Sequence, residues 1–426
     1  MSVSEYTDRK WNLIVVGGGM TGVAAAVAAR RLGLDVLILE KAGFLGGAAA
    51  TCLINPFMPF ATEVDGKRFD LSRGFFTELR RILRETDGFV GGDEYNTTLH
   101  EEYIKIALDR LVVKEDIAVL YHAMLSGVEK EGETILRVKM ATKAGELSFA
   151  ADIFIDCTGD ADLAMLAGCP FRLGREDGLC QPMTLCFRIA NVDLPTYRKN
   201  YRLMQELYKQ HQAEGKIKNP REDVLVFYTQ VDGMLHFNTT RVVKHNPTDP
   251  LDVTRAEMIA REQMLEMYTF LRDNIPGFEK SQLLYSASEI GVRESRMIEG
   301  EYVLNEEDLK NCVAFEDAIA AGNYDIDIHN PDGSGTSHYF FPKGTWYTIP
   351  YRSLLPKDAD NLLVAGRCIS ATHAAQASIR IMPIVTTLGE AAGVAAAIAK
   401  KSGVKVKQVD VKALRQQLLS QGAFIG

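Results

Sequence analysis

The stretch from Trp11 to Gly47, WNLIVVGGGMTGVAAAVAARRLGLDVLILEKAGFLGG, constrains the fold more than any other part of the chain. Leu13-Ile14-Val15-Val16 is a short apolar run, largely β-branched, and reads as a buried parallel strand. Gly17-x-Gly19-x-x-Gly22 follows at once, then an Ala-rich helical stretch to Arg31 that Gly33 ends. Val36 to Leu39 forms a second strand, with Glu40 at its end. Each part has a physical task. Gly17 permits the tight turn, Gly19 lets a pyrophosphate approach the backbone, and Gly22 lets the helix pack close to the strand. Met20 and Thr21 fall in the first helical turn, where unpaired N–H groups and the positive dipole end favour phosphate. Glu40, eighteen residues past Gly22, is placed to accept hydrogen bonds from ribose hydroxyls, near the usual spacing of about 20. The pattern predicts a dinucleotide-binding unit.

A chain of 426 residues can form two or three domains, and its 46% hydrophobic and 24% charged content is ordinary for a globular protein. A net charge of −8 implies no overall basic surface, so no nucleic-acid partner is expected. Seven cysteines occur without any CxxC spacing, which fits reduced thiols better than a disulfide framework or a structural zinc site. No metal site is expected. The start, MSVSEYTDRKWN, is polar and unlike a signal peptide, and no stretch reaches the roughly 18 uninterrupted apolar residues of a membrane span. These features lead to the expectation of a cytoplasmic protein. A homodimer is expected from size and class alone.

Along the chain, residues 48–60 are punctuated by Pro and read as irregular. Helices are expected at about 73–85 and 100–114, with a turn-rich acidic loop at 87–96 between them. Residues 117–156 alternate short strands with turns at Glu131-Gly132 and Ala144-Gly145, a β-meander that closes in a buried run at Ile153 to Asp156. From about Gly168 to Trp346 strand-like pieces (183–189, 225–229) mix with amphipathic helices (203–212, 254–271). Nucleotide-domain signals then return: Asn361 to Gly366 is again strand then glycine, and Pro383 to Lys400 is again a small-residue helix, followed by a tail helix at 409–419. The fold class read from this order is α/β. It comprises a Rossmann-like three-layer domain (1–167 and 347–426) with a β-meander, interrupted by a mixed α/β substrate domain (168–346).

Three later features separate a flavin site from a nicotinamide site. Gly46-Gly47 supplies a second glycine turn beyond Glu40, the Thr158-Gly159-Asp160 turn ends a later strand, and the Gly366 turn ends another before the Pro383 helix. A flavin gains negative charge at its pyrimidine edge on reduction, which the N-terminus of that last helix, at Ile381 to Ile384, would stabilise. On these residues the chain resembles the FAD-dependent oxidoreductases of the glutathione-reductase-type flavoprotein superfamily. The blocks IVVGGGMTGVAAAVAARRLG, LILEKAGFLGG, IDCTGDADLAMLAG, GVRESRMIEGEYVL and NLLVAGRCISATHAAQASIRIMPIVTTLGEAAG carry the likeness. It implies FAD held by Gly17, Gly19, Met20, Thr21, Gly22, Glu40, Lys41, Gly46, Gly47 and Ala48. It also implies Thr158, Gly159, Asp160, Gly366, Arg367, Met382 and Pro383, with an adenine-side contact around Ala123-Met124. Many relatives carry Gly-Asp where this chain has Gly366-Arg367, so the resemblance leaves the ribityl partner open and directs Arg367 to the pyrophosphate.

Flavin chemistry needs a proton acceptor or donor near the reacting carbon. His373 is the best single acid/base candidate, against the alternative of a packing histidine satisfied by backbone. Arg293, Glu294 and Arg296 could orient an anionic or polyhydroxylated substrate, or form a structural salt-bridge cluster. Tyr351-Arg352 admits the same two readings, and Arg293 and Arg352 join His373 as candidate catalytic residues. The loop HNPDGSGTSH, with His329, Asp332 and His338, reads as solvated because turn residues dominate it. Cys180 and Cys186 read as buried strand cysteines. The expected function is hydride transfer at flavin N5 on a small polar organic substrate, with the electron partner unidentified. The alternatives are an NAD(P)-dependent dehydrogenase without flavin, and a flavoprotein keeping FAD as a structural or complex-partner element.

Overall fold

A computed structural model describes residues 3–86, 89–90 and 98–426, so most of the acidic loop read at 87–96 lies outside the described residues. Strand Lys10–Val16 is central. On one side it pairs in parallel with Val36–Leu39, which pairs with Ala118–Leu120. On the other it pairs with the second half of Gly145–Asp156, which pairs with Leu362–Val364. The chain leaves the first strand to one side and later returns on the other. A crevice therefore opens at the carboxyl ends of Lys10–Val16 and Gly145–Asp156, where open α/β sheets bind ligands.

Alternation along the central strand sets three layers. Leu13 and Val15 face the helices, while Ile14 and Val16 share a second cluster with Val138, Phe149 and Phe154 of the meander side. The long strand Gly145–Asp156 serves both structures. Its first residues pair antiparallel with Thr134–Thr142, itself paired with Met124–Glu131, and its last residues lie in the parallel sheet. Ala118–Leu120, read as part of the meander, joins the parallel sheet instead. Residues 48–60, read as irregular, begin with the short helix Ala48–Thr51, and the hairpin Ala61–Val64 with Lys67–Asp70 follows them.

The fingerprint helix, Met20–Arg31, packs against the closing helix, Met382–Ser402. A Cβ on Gly389 would lie 2.1 Å from the Thr21 carbonyl oxygen, and one on Gly393 would lie 2.1 Å from that of Ala25. Two glycines four residues apart thus admit two carbonyls four residues apart, a contact no larger residue allows. Among the described residues the closing helix is the one helix long and apolar enough to cross a membrane, and 89% of that apolar window is buried inside the protein.

Glu390 interrupts this apolar helix and is buried. Its Oε2 accepts the Phe75 N–H at 3.0 Å, serving as the cap of helix Phe75–Glu85, whose own N-cap is Gly74. Burial pushes its carboxyl up to about 7, against an ordinary value of 4.5. The folded protein then holds a proton that the unfolded chain releases. Its contribution is full below pH 4.5 and is lost as pH rises through about 7, a change of about 3 kcal/mol. Replacing Glu390 by Gln keeps an acceptor for Phe75 and is expected to flatten that loss, raising Tm above pH 7. Parallel Tm–pH curves for the two proteins would refute the assignment.

Between the two parts of the sheet domain lies an antiparallel sheet in the order Val226–Tyr228, Leu235–Phe237, Phe187–Ala190, Gln282–Ser286. Phe187 and Phe237 pair in register and stack at 5.0 Å over a core shared with helices Leu194–Ala213 and Pro250–Asn274. Asp193 and Asp249 cap these helices, and each helix carries Pro in its first turn.

Candidate functional site: the cofactor cradle and a buried polar network

The fingerprint turn is built from close backbone contacts. A Cβ on Gly17 would meet the Cys157 carbonyl oxygen at 2.3 Å, and one on Gly22 would meet that of Gly17 at 1.9 Å. Gly19 differs, since its Cβ would meet only the Cα of Gly47, at 3.7 Å. The second glycine turn lies directly against the first: Gly46 N–H donates to the Gly18 carbonyl at 2.9 Å, and Gly47 is the N-cap of the helix that starts at Ala48. Glu40 is buried and accepts from Gly18 N–H (2.6 Å) and Ala42 N–H (2.7 Å), each oxygen keeping a further lone pair for a hydroxyl. Met124 turns its side chain to solvent, so the adenine-side contact open to this position is a backbone one.

The third turn is held by Asp156, whose carboxylate accepts from Thr158 N–H (3.0 Å), Thr158 Oγ1 (2.7 Å) and Ala164 N–H (2.9 Å). This places Gly159 against the Arg367 guanidinium, 3.2 Å from where a Cβ would sit, while Gly366 faces Thr21. Arg367, which the resemblance directs to the pyrophosphate, has a carboxylate neighbour. It pairs with the Asp160 carboxylate, which also accepts from Ser295 Oγ. Its Nε remains without a partner among the described residues. Lys41 pairs with Glu289 at 2.9 Å.

Several helices carry their own caps, among them those starting after Asp193, Asp249, Thr372 and Asp410. The fingerprint helix, behind Gly19, and the closing helix, behind Ile381 and with Met382 and Pro383 in its first turn, have no side-chain cap. Two long helices thus present open N-terminal N–H groups at the sheet crevice, a donor set suited to a pyrophosphate and to an anionic ring edge. A dinucleotide flavin fits this arrangement of glycine contacts, ribose acceptor and open helix ends.

A second group of polar side chains lies beside the closing helix. His373 opens helix His373–Ile379, and its Nδ1 lies 2.8 Å from both carboxylate oxygens of fully buried Glu294. The partner is a carboxylate rather than backbone, so Nδ1 carries a proton and donates it, which turns Nε2 away from Glu294. Glu294 also accepts from Gln181 N–H at 2.9 Å, and Gln181 Nε2 reaches Gln376, which donates to the Arg293 carbonyl at 2.9 Å. Arg293 Nη1 donates to the Pro182 carbonyl at 2.6 Å. One network therefore joins residues 181–182, 293–294 and 373–376. Arg296 goes elsewhere, pairing with Asp162 at 2.8 Å and bonding the Asp160 carbonyl.

One sequence reading is corrected here. The segment read as a solvated loop is the tip of a hairpin, Ile326–His329 with Thr336–Tyr339, and His329 is buried. His329 Nδ1 accepts from Arg241 at 2.8 Å, and burial together with the Arg293 charge pushes its pKa down to about 3, so it is neutral. Burial raises the carboxyl of neighbouring Asp327, but the donors His329, Arg380 and Tyr324 outweigh it and hold Asp327 ionised. Arg352 does not join this network. It is half exposed, pairs with Asp317 at 3.0 Å and lies over the Tyr302 ring. All seven cysteines are free, and burial pushes the Cys180 and Cys186 thiols up to about 12.

The flavin-dependent brominase Bmp2 is similar in structure at 13% identity, over 96% of this chain and 83% of that one, with a TM-score of 0.51. The geranylgeranyl bacteriochlorophyll reductase-like protein of Thermoplasma acidophilum aligns at 14% identity, over 98% and 84%, with a TM-score of 0.48. At such identities the likeness to the brominase shows a shared fold. No curated protein sequence matches the chain. The model of the family described as FAD dependent oxidoreductase matches residues 12–418. The chain belongs to the FAD-dependent oxidoreductase family: it is an enzyme, and FAD is its cofactor.

Proposed function

We propose that this enzyme moves a hydride between a small polar organic substrate and N5 of its flavin, with His373 as the acid/base. When bound, FAD supplies the two-electron acceptor and donor. The observation that carries the reading is the Glu294 carboxylate 2.8 Å from His373 Nδ1, which fixes the ring and leaves Nε2 to take or return the substrate proton. In this reading Gly17, Gly19, Met20, Thr21, Gly22, Glu40, Gly46, Gly47 and Ala48 hold the nucleotide side. Lys41, Met124, Thr158, Gly159, Asp160, Gly366, Arg367, Met382 and Pro383 complete the cradle, Arg367 through Asp160. Residues 168–346 form the substrate domain and carry no second glycine fingerprint for a nicotinamide.

The competing reading is FAD kept as a structural element. Anaerobic titration of the yellow holoenzyme with hydroxy acids, sugars and their keto counterparts separates the two. Bleaching by one member, or reoxidation of dithionite-reduced enzyme by its keto partner, is the expected result. A flavin that dithionite reduces, and that no member of the panel changes in either direction, would overturn the hydride-transfer reading.

A further inference from the structure

Arg380, Arg221 and Arg241 all act on Arg293 as like charges, and each of these three has a carboxylate of its own. Arg221 pairs with Asp223 at 2.8 Å, Arg241 with Glu222 at 3.2 Å, and Arg380 with Asp327 at 3.5 Å. Arg293 has none. Among the described residues its side-chain hydrogen bond is the one to the Pro182 carbonyl, although the residue is buried. The neighbouring carboxylate, Glu294, is committed to His373 and to Gln181 N–H. Arg380 is itself under-partnered, since 3.5 Å is long for a hydrogen bond and, among the described residues, its buried Nε has no acceptor. The two are electrically coupled. Burial first, then Arg380 as the strongest like charge, pushes the Arg293 pKa down to about 9.

A buried cation with unused donors beside a second cation is costly unless an anion completes the site. The planar fork of a guanidinium matches a carboxylate through two parallel N–H···O bonds, and the pair is strongest where water is excluded. We propose that Arg293, assisted by Arg380, seats a carboxylate of the substrate, so the enzyme acts on a small carboxylic acid anchored beside His373. The proposal rests on the hydride-transfer reading of the same site. The reduced flavin's pyrimidine edge is a second source of the same oxyanion chemistry, because Arg380 immediately precedes Ile381, the N-cap of the closing helix.

The test is a binding measurement on the oxidised holoenzyme, so it does not depend on turnover. Malonate and its uncharged analogue malonamide are titrated at constant ionic strength and followed by perturbation of the flavin spectrum. Saturable binding of malonate, at least tenfold tighter than malonamide, is expected. Arg293→Met should weaken malonate tenfold or more with FAD retained, and Arg380→Met provides the same test if the first variant does not fold. Equal binding of acid and amide, or malonate affinity unchanged in both variants, overturns the proposal. So does a variant that alters the flavin reduction potential while malonate binding stays intact, since that places the guanidinium on the cofactor. If no panel substrate bleaches the flavin yet malonate binds as predicted, the hydride-transfer reading fails while the carboxylate seat stands.

Discussion

Gly19→Phe is expected to give a folded protein without flavin. Gly19 has φ −66° and ψ 176°, which any residue adopts, and a Cβ there meets only the Cα of Gly47, at ordinary contact distance. The backbone therefore accepts a side chain. What it loses is the space between the two glycine turns, over the open N-terminus of Met20–Arg31, where the pyrophosphate must approach. Gly22→Ala is a different experiment, because its Cβ would sit 1.9 Å from the Gly17 carbonyl oxygen and force the helix off the strand. Far-ultraviolet circular dichroism and the visible flavin band separate the two outcomes. Native dichroism with no colour is expected for Gly19→Phe, and lost dichroism or a lower Tm for Gly22→Ala. A full complement of FAD in Gly19→Phe would remove the cradle as described.

The second large effect is expected at His373. His373→Gln should retain FAD, since the side chain lies outside the glycine turns, and should slow flavin reduction by about 10²- to 10⁴-fold with whichever substrate bleaches the parent. Glu294→Gln presents to Nδ1 an N–H donor as readily as a carbonyl acceptor, so the ring loses its fixed tautomer. The expected sign is a reduction rate lowered by less than in His373→Gln, with an altered pH profile and an unchanged flavin spectrum. Stopped-flow reduction under anaerobic conditions measures both. A rate in His373→Gln within twofold of the parent would return His373 to a packing role.

What could be read from the sequence was what local geometry enforces. The run from Leu13 to Glu40 has a period, a turn chemistry and a helix stop that agree with one another, and the structure builds strand, helix and strand there. The closing helix was legible for a similar reason, since small residues and a first-turn Pro leave few alternatives. The misread parts depend on partners far along the chain. Asn330-Pro331-Asp332-Gly333 has every mark of a solvated turn. Yet His329 beside it is buried because Arg241, 88 residues upstream, reaches its ring. Arg367 pairs with Asp160, 207 residues upstream, and Arg352 with Asp317, 35 residues upstream, partners that no local spacing reveals. The pairing of Glu294 with His373 spans 79 residues and carried no spacing signal at all.

The way the closing helix docks also bears on how the protein is made. Its glycines seat against Thr21 and Ala25, and Leu362–Val364 supplies the last strand beside Asp156. Contacts so distant in sequence form late, after the intervening chain has been ordered. A ribosome releasing this chain presents the fingerprint helix early, with its small-residue face wet until residues 382–402 arrive. The cradle's second open helix end belongs to that late segment. Acquisition of the yellow colour during translation is therefore expected to wait for the closing helix, although the glycine turn is made early.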